Sequence, residues 1–204
     1  MNFKLRYILG KLNRIILFLY RLLSTILATL IAPFFILMGW LSGLNDSFIE
    51  VAILSSKMPF YFGEKLRYLF YKFTLKQIGS DVTFRYGSFC CYQNTIIGNR
   101  ALIGYYNSLG EVSIGDDVIF GGFVNVLSGT SQHSFLDANK RIAAQEGGGR
   151  RIIFIGSDVW IGSNSIICND VGNRCVVGAG SVVIHPVEDH SLVVGNPGRL
   201  VRKI

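Results

Sequence analysis

The chain is poor in the residues that metal and redox chemistry needs. Its 204 residues include only three histidines and four cysteines. Cys90, Cys91, Cys168 and Cys175 form no CxxC pair, and Cys90 and Cys91, being adjacent, point to opposite faces of any strand they share. No disulfide framework is therefore expected, and a reducing compartment is favoured. The thiols read as small core fillers. His133 stands alone in mid-chain, with His185 and His190 near the end of the repeat described below. No three-histidine zinc site is expected, and no metal. The glycines do not stand between a strand and a helix, which excludes a P-loop or dinucleotide fingerprint. Residues 77–204 hold ten basic and ten acidic side chains without a basic stripe, so no nucleic-acid partner is expected.

Acidic residues are scarce in the first third. Residues 1–76 carry ten Lys and Arg against three Asp and Glu, so the whole net charge of +7 lies there. Lys4, Arg6, Lys11 and Arg14 are spaced among leucines, isoleucines and Phe3 in a basic amphipathic helix. Leu22 to Leu44 then holds no charge and is long enough to span a bilayer. Basic and apolar together point to an anionic membrane surface. No small-residue cleavage site marks the run as a signal peptide. The positive-inside tendency puts the N-terminus in the cytoplasm. A single span would then carry the rest of the chain outside. A monotopic anchor lying in the interface, or a re-entrant helix broken at Pro33, keeps it inside. The other possibility is that the apolar surface packs against the following domain or a partner subunit. Residues 1–58 are thus a hydrophobic, basic, membrane-associating helical segment, and 59–77 are a capping helix with Leu66, Leu69, Phe70 and Phe73 at helical spacing.

Beyond it an aliphatic residue followed by glycine recurs every six residues. Ile97-Gly98 leads to Ile103-Gly104; Ile114-Gly115 to Phe120-Gly121 and Val126; Ile155-Gly156 to Ile161-Gly162 and Ile167; Val171-Gly172 to Val177-Gly178 and Val183. A period of six fits neither an amphipathic helix nor an alternating strand. It fits a solenoid in which each hexad is one short strand and a turn, three to a coil, with the aliphatic side chain inward. A parallel β-helix is expected over 78–190, with a loop excursion over 127–154 and a C-terminal tail over 191–204. The repeat falls out of phase between Ile103 and Ile114, with Tyr105, Tyr106 and Asn107 in the gap. The corner from Ile167 to Val171 is short by two.

The excursion carries the candidate chemistry. An imidazole such as His133 can take a proton from a hydroxyl near neutral pH. That hydroxyl then attacks a thioester carbonyl, and backbone N–H groups of the adjoining coil can hold the oxyanion. The small run Gly178-Ala179-Gly180-Ser181 lets a pantetheine arm approach the backbone closely. Arg199, Arg202 and Lys203 can meet phosphates.

From about Lys65 onward the chain resembles the hexapeptide-repeat acyltransferases, and within them the bacterial surface-polysaccharide O-acetyltransferases. The likeness rests on IGDDVIFGGFVNVLSGTSQHSF (114–135), IGSDVWIGSNSIICNDVG (155–172), VVGAGSVV (176–183) and VVGNPGRLVRKI (193–204). The resemblance implies a left-handed β-helix, a homotrimer with active sites between subunits, and acetyl-CoA as donor. It puts His133 in the place of the catalytic histidine. Trp160 and Ser163 fall on the donor channel, Ala179 on the pantetheine contact, Arg202 on the phosphate side, and Asn107 on an acceptor-binding asparagine. Ile184-His185 stand where the family has Thr-Lys, which leaves open whether His185 replaces a donor-contacting lysine. The expected function is O-acetylation of a surface glycan, or of its lipid-linked or nucleotide precursor, at the cytoplasmic face of the plasma membrane. The alternatives are N-acetyl transfer to an amino sugar and a catalytically silent membrane-tethered scaffold.

Overall fold

The hexads wind as a parallel β-helix of about six coils with three flat faces. The structure is a computed structural model describing residues 3–43, 47–130 and 133–204, with side chains described from Asn13 onward. The first face holds Gln77–Ile78, Ile96–Ile97, Val112–Ile114 and Ile153–Ile155, extended by bridges from Ile155 to Val171 and Val187. The second holds Thr83–Phe84, Leu102–Ile103, Ile119–Phe120, Trp160–Ile161, Val176–Val177 and Ser191–Val194. The third holds Phe89–Cys90, Ser108–Leu109, Asn125–Val126, Ile166–Ile167 and Val182–Val183. In each pair the second residue points inward: Ile97, Ile103, Leu109, Ile161, Ile167 and Val177 are fully buried. The core is thus three aliphatic columns, one per face, stacked at the strand spacing of about 4.8 Å.

Two of the three edges keep strict six-residue steps. At the first-to-second edge a ladder locks each coil to the next. The backbone N–H groups of Ser80, Asn99, Asp116, Ser157 and Asn173 donate to side-chain oxygens of Asn99, Asp116, Ser157, Asn173 and Asp189. At the second-to-third edge the turn residue adopts positive φ in coil after coil. All irregularity falls on the third-to-first edge, whose corners run Cys90 to Ile97, Leu109 to Ile114, Val126 to Ile155, Ile167 to Val171 and Val183 to Val187. The out-of-phase step therefore lies after Leu109. Tyr105, Tyr106 and Asn107 form an ordinary corner.

The chain end also differs from expectation. Residues 191–204 are not a tail. Ser191–Val194 adds a parallel strand to the second face, and Arg199–Lys203 turns back antiparallel upon it.

Helix α2 (Phe48–Ser56) and helix α3 (Phe60–Thr74) close the N-terminal end of the solenoid. Phe70, Tyr71 and Phe84 stack from α3 into the first coil. The guanidinium of Arg67, fully buried, ties the two helices to that coil. It donates to the carbonyls of Ser55, Ser56 and Met58 and twice to Phe84 O. Helix α1 (Phe3–Gly43) lies outside this cap and runs alongside α3, with Tyr20 at Tyr61 and Trp40 Nε1 bonded to Phe73 O. It is continuous through Pro33, so the expected break is absent. Ser24, Ala28, Ala32, Phe35 and Gly39 pack inward on both sides of the proline and hold the axis where its missing N–H would allow a kink. The opposite stripe, Leu23, Leu27, Leu30, Phe34, Leu37 and Leu41, is wholly apolar and exposed. Asn13–Ser42 is long and apolar enough to cross a membrane.

Candidate active site

The second-to-third edge gathers most of the expected donor residues. Trp160 stands on the outward side of the second face, 56% exposed. Three residues on, Ser163 turns the corner, and its Oγ accepts from Gly122 N at 3.1 Å. One coil up, Ala179 and Gly180 turn the same corner, and Gly180 N donates to Ser163 O at 2.8 Å. Gly180 has φ +70°, and a Cβ there would meet nothing within 4 Å, so glycine serves the turn and leaves the surface open. Gly121 is different. A Cβ on it would lie 2.6 Å from Ser163 N, so its bareness lets the coils stack. The result is a narrow exposed strip with one large ring at its edge.

Arg202 joins this strip by register. Trp160 pairs with Val176, Val176 with Leu192 and Leu192 with Arg202, so the four share one outward row. Arg199 lies farther along the same hairpin, where with His185 and Glu188 it lines a cavity of about 310 Å³ at the C-terminal end of the prism.

His133 belongs to the excursion, which leaves from the other side of the third face. The ends of the excursion are clamped. Arg151 N donates to Ser128 O, Glu111 N to Ser128 Oγ, and the Arg150 guanidinium sits between Glu111 and the ring of Tyr92. Inside, Gln145 braces the loop. Its Oε1 accepts from Asp137 N, and its Nε2 donates to the carbonyls of Asp137 and Lys140. Ser131 and Gln132 lie outside the described residues, and His133 is exposed. Its loop and the donor strip thus start from different edges of the prism.

Three comparisons bear on this arrangement. No family model matches the chain. A serine acetyltransferase of Bacillus pumilus is 32% identical over 164 residues, covering 76% of this chain and 68% of that protein. A hexapeptide-repeat-containing acetyltransferase of Vibrio cholerae, solved with acetyl-CoA, superposes with TM-score 0.63 at 27% identity over 74% of this chain and 82% of its own. The chain belongs to the hexapeptide-repeat acetyltransferases. Among other curated relatives, the bifunctional protein GlmU of Rubrobacter xylanophilus is 30% identical over 129 residues, 63% of this chain, which spans only 24% of GlmU.

As a hexapeptide-repeat acetyltransferase the chain departs from expectation at Asn107. That residue is fully buried. Its Nδ2 donates to Gly121 O at 2.9 Å and its Oδ1 accepts from Val124 N at 2.8 Å. It closes a corner and offers no surface to an acceptor within this chain. Sequence spacing could not show this, because a corner asparagine and a ligand-facing asparagine occupy the same hexad position. Among the described residues no group of three His, Cys, Asp or Glu could hold a metal ion. Burial pushes the Cys90 thiol well up, and those of Cys91, Cys168 and Cys175 up. Sequence reasoning missed the row that aligns Arg202 with Trp160; it needed the hairpin register.

Proposed function

We propose that the protein transfers an acetyl group from acetyl-CoA to a saccharide hydroxyl at the cytoplasmic face of the membrane. The observation that carries this reading is the exposed strip Trp160–Ser163–Ala179–Gly180 on a hexapeptide-repeat acetyltransferase fold, with a lone imidazole on a braced excursion. The pantetheine arm lies against Ala179 and Gly180, where no side chain intrudes, and Trp160 flanks it. Arg202 and Arg199 take the phosphates. Because His133 and the strip start from different edges, a neighbouring copy in a homotrimer supplies the imidazole to each strip. His133 accepts the proton of the acceptor hydroxyl as the oxygen attacks the thioester carbon. The tetrahedral intermediate collapses, the C–S bond breaks, and the imidazolium returns the proton to the CoA thiolate. The products are an acetyl ester and CoA.

The apolar outer stripe of α1 lies in the bilayer interface as a monotopic anchor, with Arg14 and Arg21 towards the headgroups. Acetyl-CoA is cytosolic, which sets the side.

His133→Ala should abolish transfer while CoA binding by titration calorimetry and trimer mass by light scattering stay unchanged. Full transfer by that variant would remove His133 from the mechanism. The likeness to a serine acetyltransferase favours a second reading, O-acetylation of free serine. Acceptor assays with L-serine and with membrane glycan separate the two.

A further inference from the structure

Exposed aromatic rings occupy one edge of the prism where the fold has little use for them. At the second-to-third edge the positive-φ position is filled by Gly87, Tyr106, Phe123, Asn164 and Gly180 in successive coils. Glycine and asparagine accept that conformation readily; a bulky side chain pays on the order of 1 kcal/mol. Yet Tyr106 (φ +56°) and Phe123 (φ +59°) sit there. They stack on each other with centroids 5.1 Å apart, Tyr86 meets Tyr106 edge-on, and both remain open to solvent, 44% and 54% exposed. The same turn recurs at the first-to-second edge with Arg100, Arg174 and His190, so the conformation belongs to the coil corner; what sets this edge apart is a stack of aromatic rings left in water, a surface suited to a ligand.

The position of the rings says what they could serve. At the lower end, next to the helical cap, the Lys57 ammonium lies 6.0 Å from the Tyr86 ring centre and 5.8 Å from that of Tyr106. A cavity of about 530 Å³ opens there between α3 and the tyrosines, with Glu64 and Phe60 on its wall. At the upper end the same edge continues into Asn164 and Gly180, beside Ser163 and Ala179. The rings therefore climb from the membrane-side cap to the donor strip.

We propose that this edge is the acceptor track and that its ligand is a saccharide chain, held along Tyr86, Tyr106 and Phe123 with its anionic end at Lys57. A pyranose presents an apolar C–H face and a hydroxyl rim, which suits half-exposed rings with polar tips. The cation at the foot complements a phosphate or carboxylate. Free serine is too small to reach from the donor strip to these rings. The inference rests on the acetyl transfer proposed above and narrows its acceptor.

The test is the double variant Tyr106→Asn, Phe123→Asn, which installs the residue that the fourth coil already has at this position. The probes are [14C]acetyl-CoA with membrane vesicles from the cells that make the protein, and L-serine in a parallel arm. The expected result is an unchanged or raised unfolding temperature, unchanged assembly mass and unchanged CoA binding. Labelling of vesicle saccharide falls at least tenfold at limiting vesicle concentration and recovers as vesicles are added. Unchanged labelling overturns the proposal, as does a CoA-binding wild type that labels serine or nothing. Loss of assembly mass in the variant also overturns it, because the edge is then a subunit contact. A wild type that binds no CoA sinks the acetyl-transfer reading itself and this inference with it.

Discussion

Removing the Arg67 guanidinium should loosen the helical cap more than any other single truncation there. The side chain has no exposed surface, and among the described residues no carboxylate forms an ion pair with it; Glu64, which raises its pKa only through space, pairs with Arg85. Burial lowers its pKa from 12.5 to about 10, a cost of about 3 kcal/mol for keeping the charge. Five hydrogen bonds to four carbonyls offset that cost, among them 2.7 Å to Met58 O and the pair at 3.0 and 3.1 Å to Phe84 O. Charge-assisted bonds contribute about 1.5–3 kcal/mol each. Arg67→Met keeps much of the volume and lifts the burial cost, but it strands the carbonyls that end α2 and start the second face. We expect a net loss of about 3–5 kcal/mol, which is roughly a 10 °C fall in unfolding temperature for a chain of this size. Thermal unfolding in detergent measures it, and limited proteolysis should find new cleavage near Lys57–Pro59. Arg67→Met within 1 kcal/mol of the wild type would refute the reasoning, since a well-packed apolar replacement would then serve as well as the charge.

Acid should weaken the first-to-second edge. Asp116 and Asp189 accept from asparagine N–H groups and Asp117 from the Arg100 guanidinium, which holds all three below the ordinary 3.8. Their contribution is complete above about pH 5 and is lost as pH falls through the lowered values. Asp116→Asn keeps an acceptor oxygen, so unfolding temperature against pH should flatten between pH 5 and 2; an unchanged profile refutes this. Gly39→Ala places a Cβ 2.6 Å from Phe70 Cε2, a buried ring of the cap. Overpacking there should cost about 1–3 kcal/mol and release α1 to protease, with CoA binding retained. The raised thiol pKa values of Cys90 and Cys175 predict slow reaction with Ellman's reagent at pH 8 and four thiols per chain in guanidinium. Rapid native reaction of Cys90 would contradict its burial.

The solenoid was legible because its core obeys one local rule, and each of Ile97, Ile103, Ile161 and Val177 declares itself by the glycine after it. Leu109-Gly110 obeys the same rule six residues after Ile103-Gly104, and the phase error begins only after it, in the short corner to Ile114. The re-entrant alternative takes its break at Pro33 from that residue's own chemistry. The packing of Ala28, Ala32 and Phe35 on α3, which keeps α1 whole, is a long-range fact. The same limit hid the returning hairpin at Arg199–Lys203, whose partner strand lacks the hexad glycine. His133 stood out by being alone. Arg67 gave no signal, since a single arginine on an amphipathic helix reads as a solvent-facing charge.

The third-to-first edge, where the corners vary in length, gives the molecule a splice point. Coils above and below it are held by ladders on the other two edges, so chain added there has no register to disturb. Trading residues 127–152 for a corner as short as Ile167–Val171 should leave an inert prism of the same height. On the proposed mechanism, grafting a different loop at that place would exchange the general base while the strip at the second-to-third edge stayed where it is.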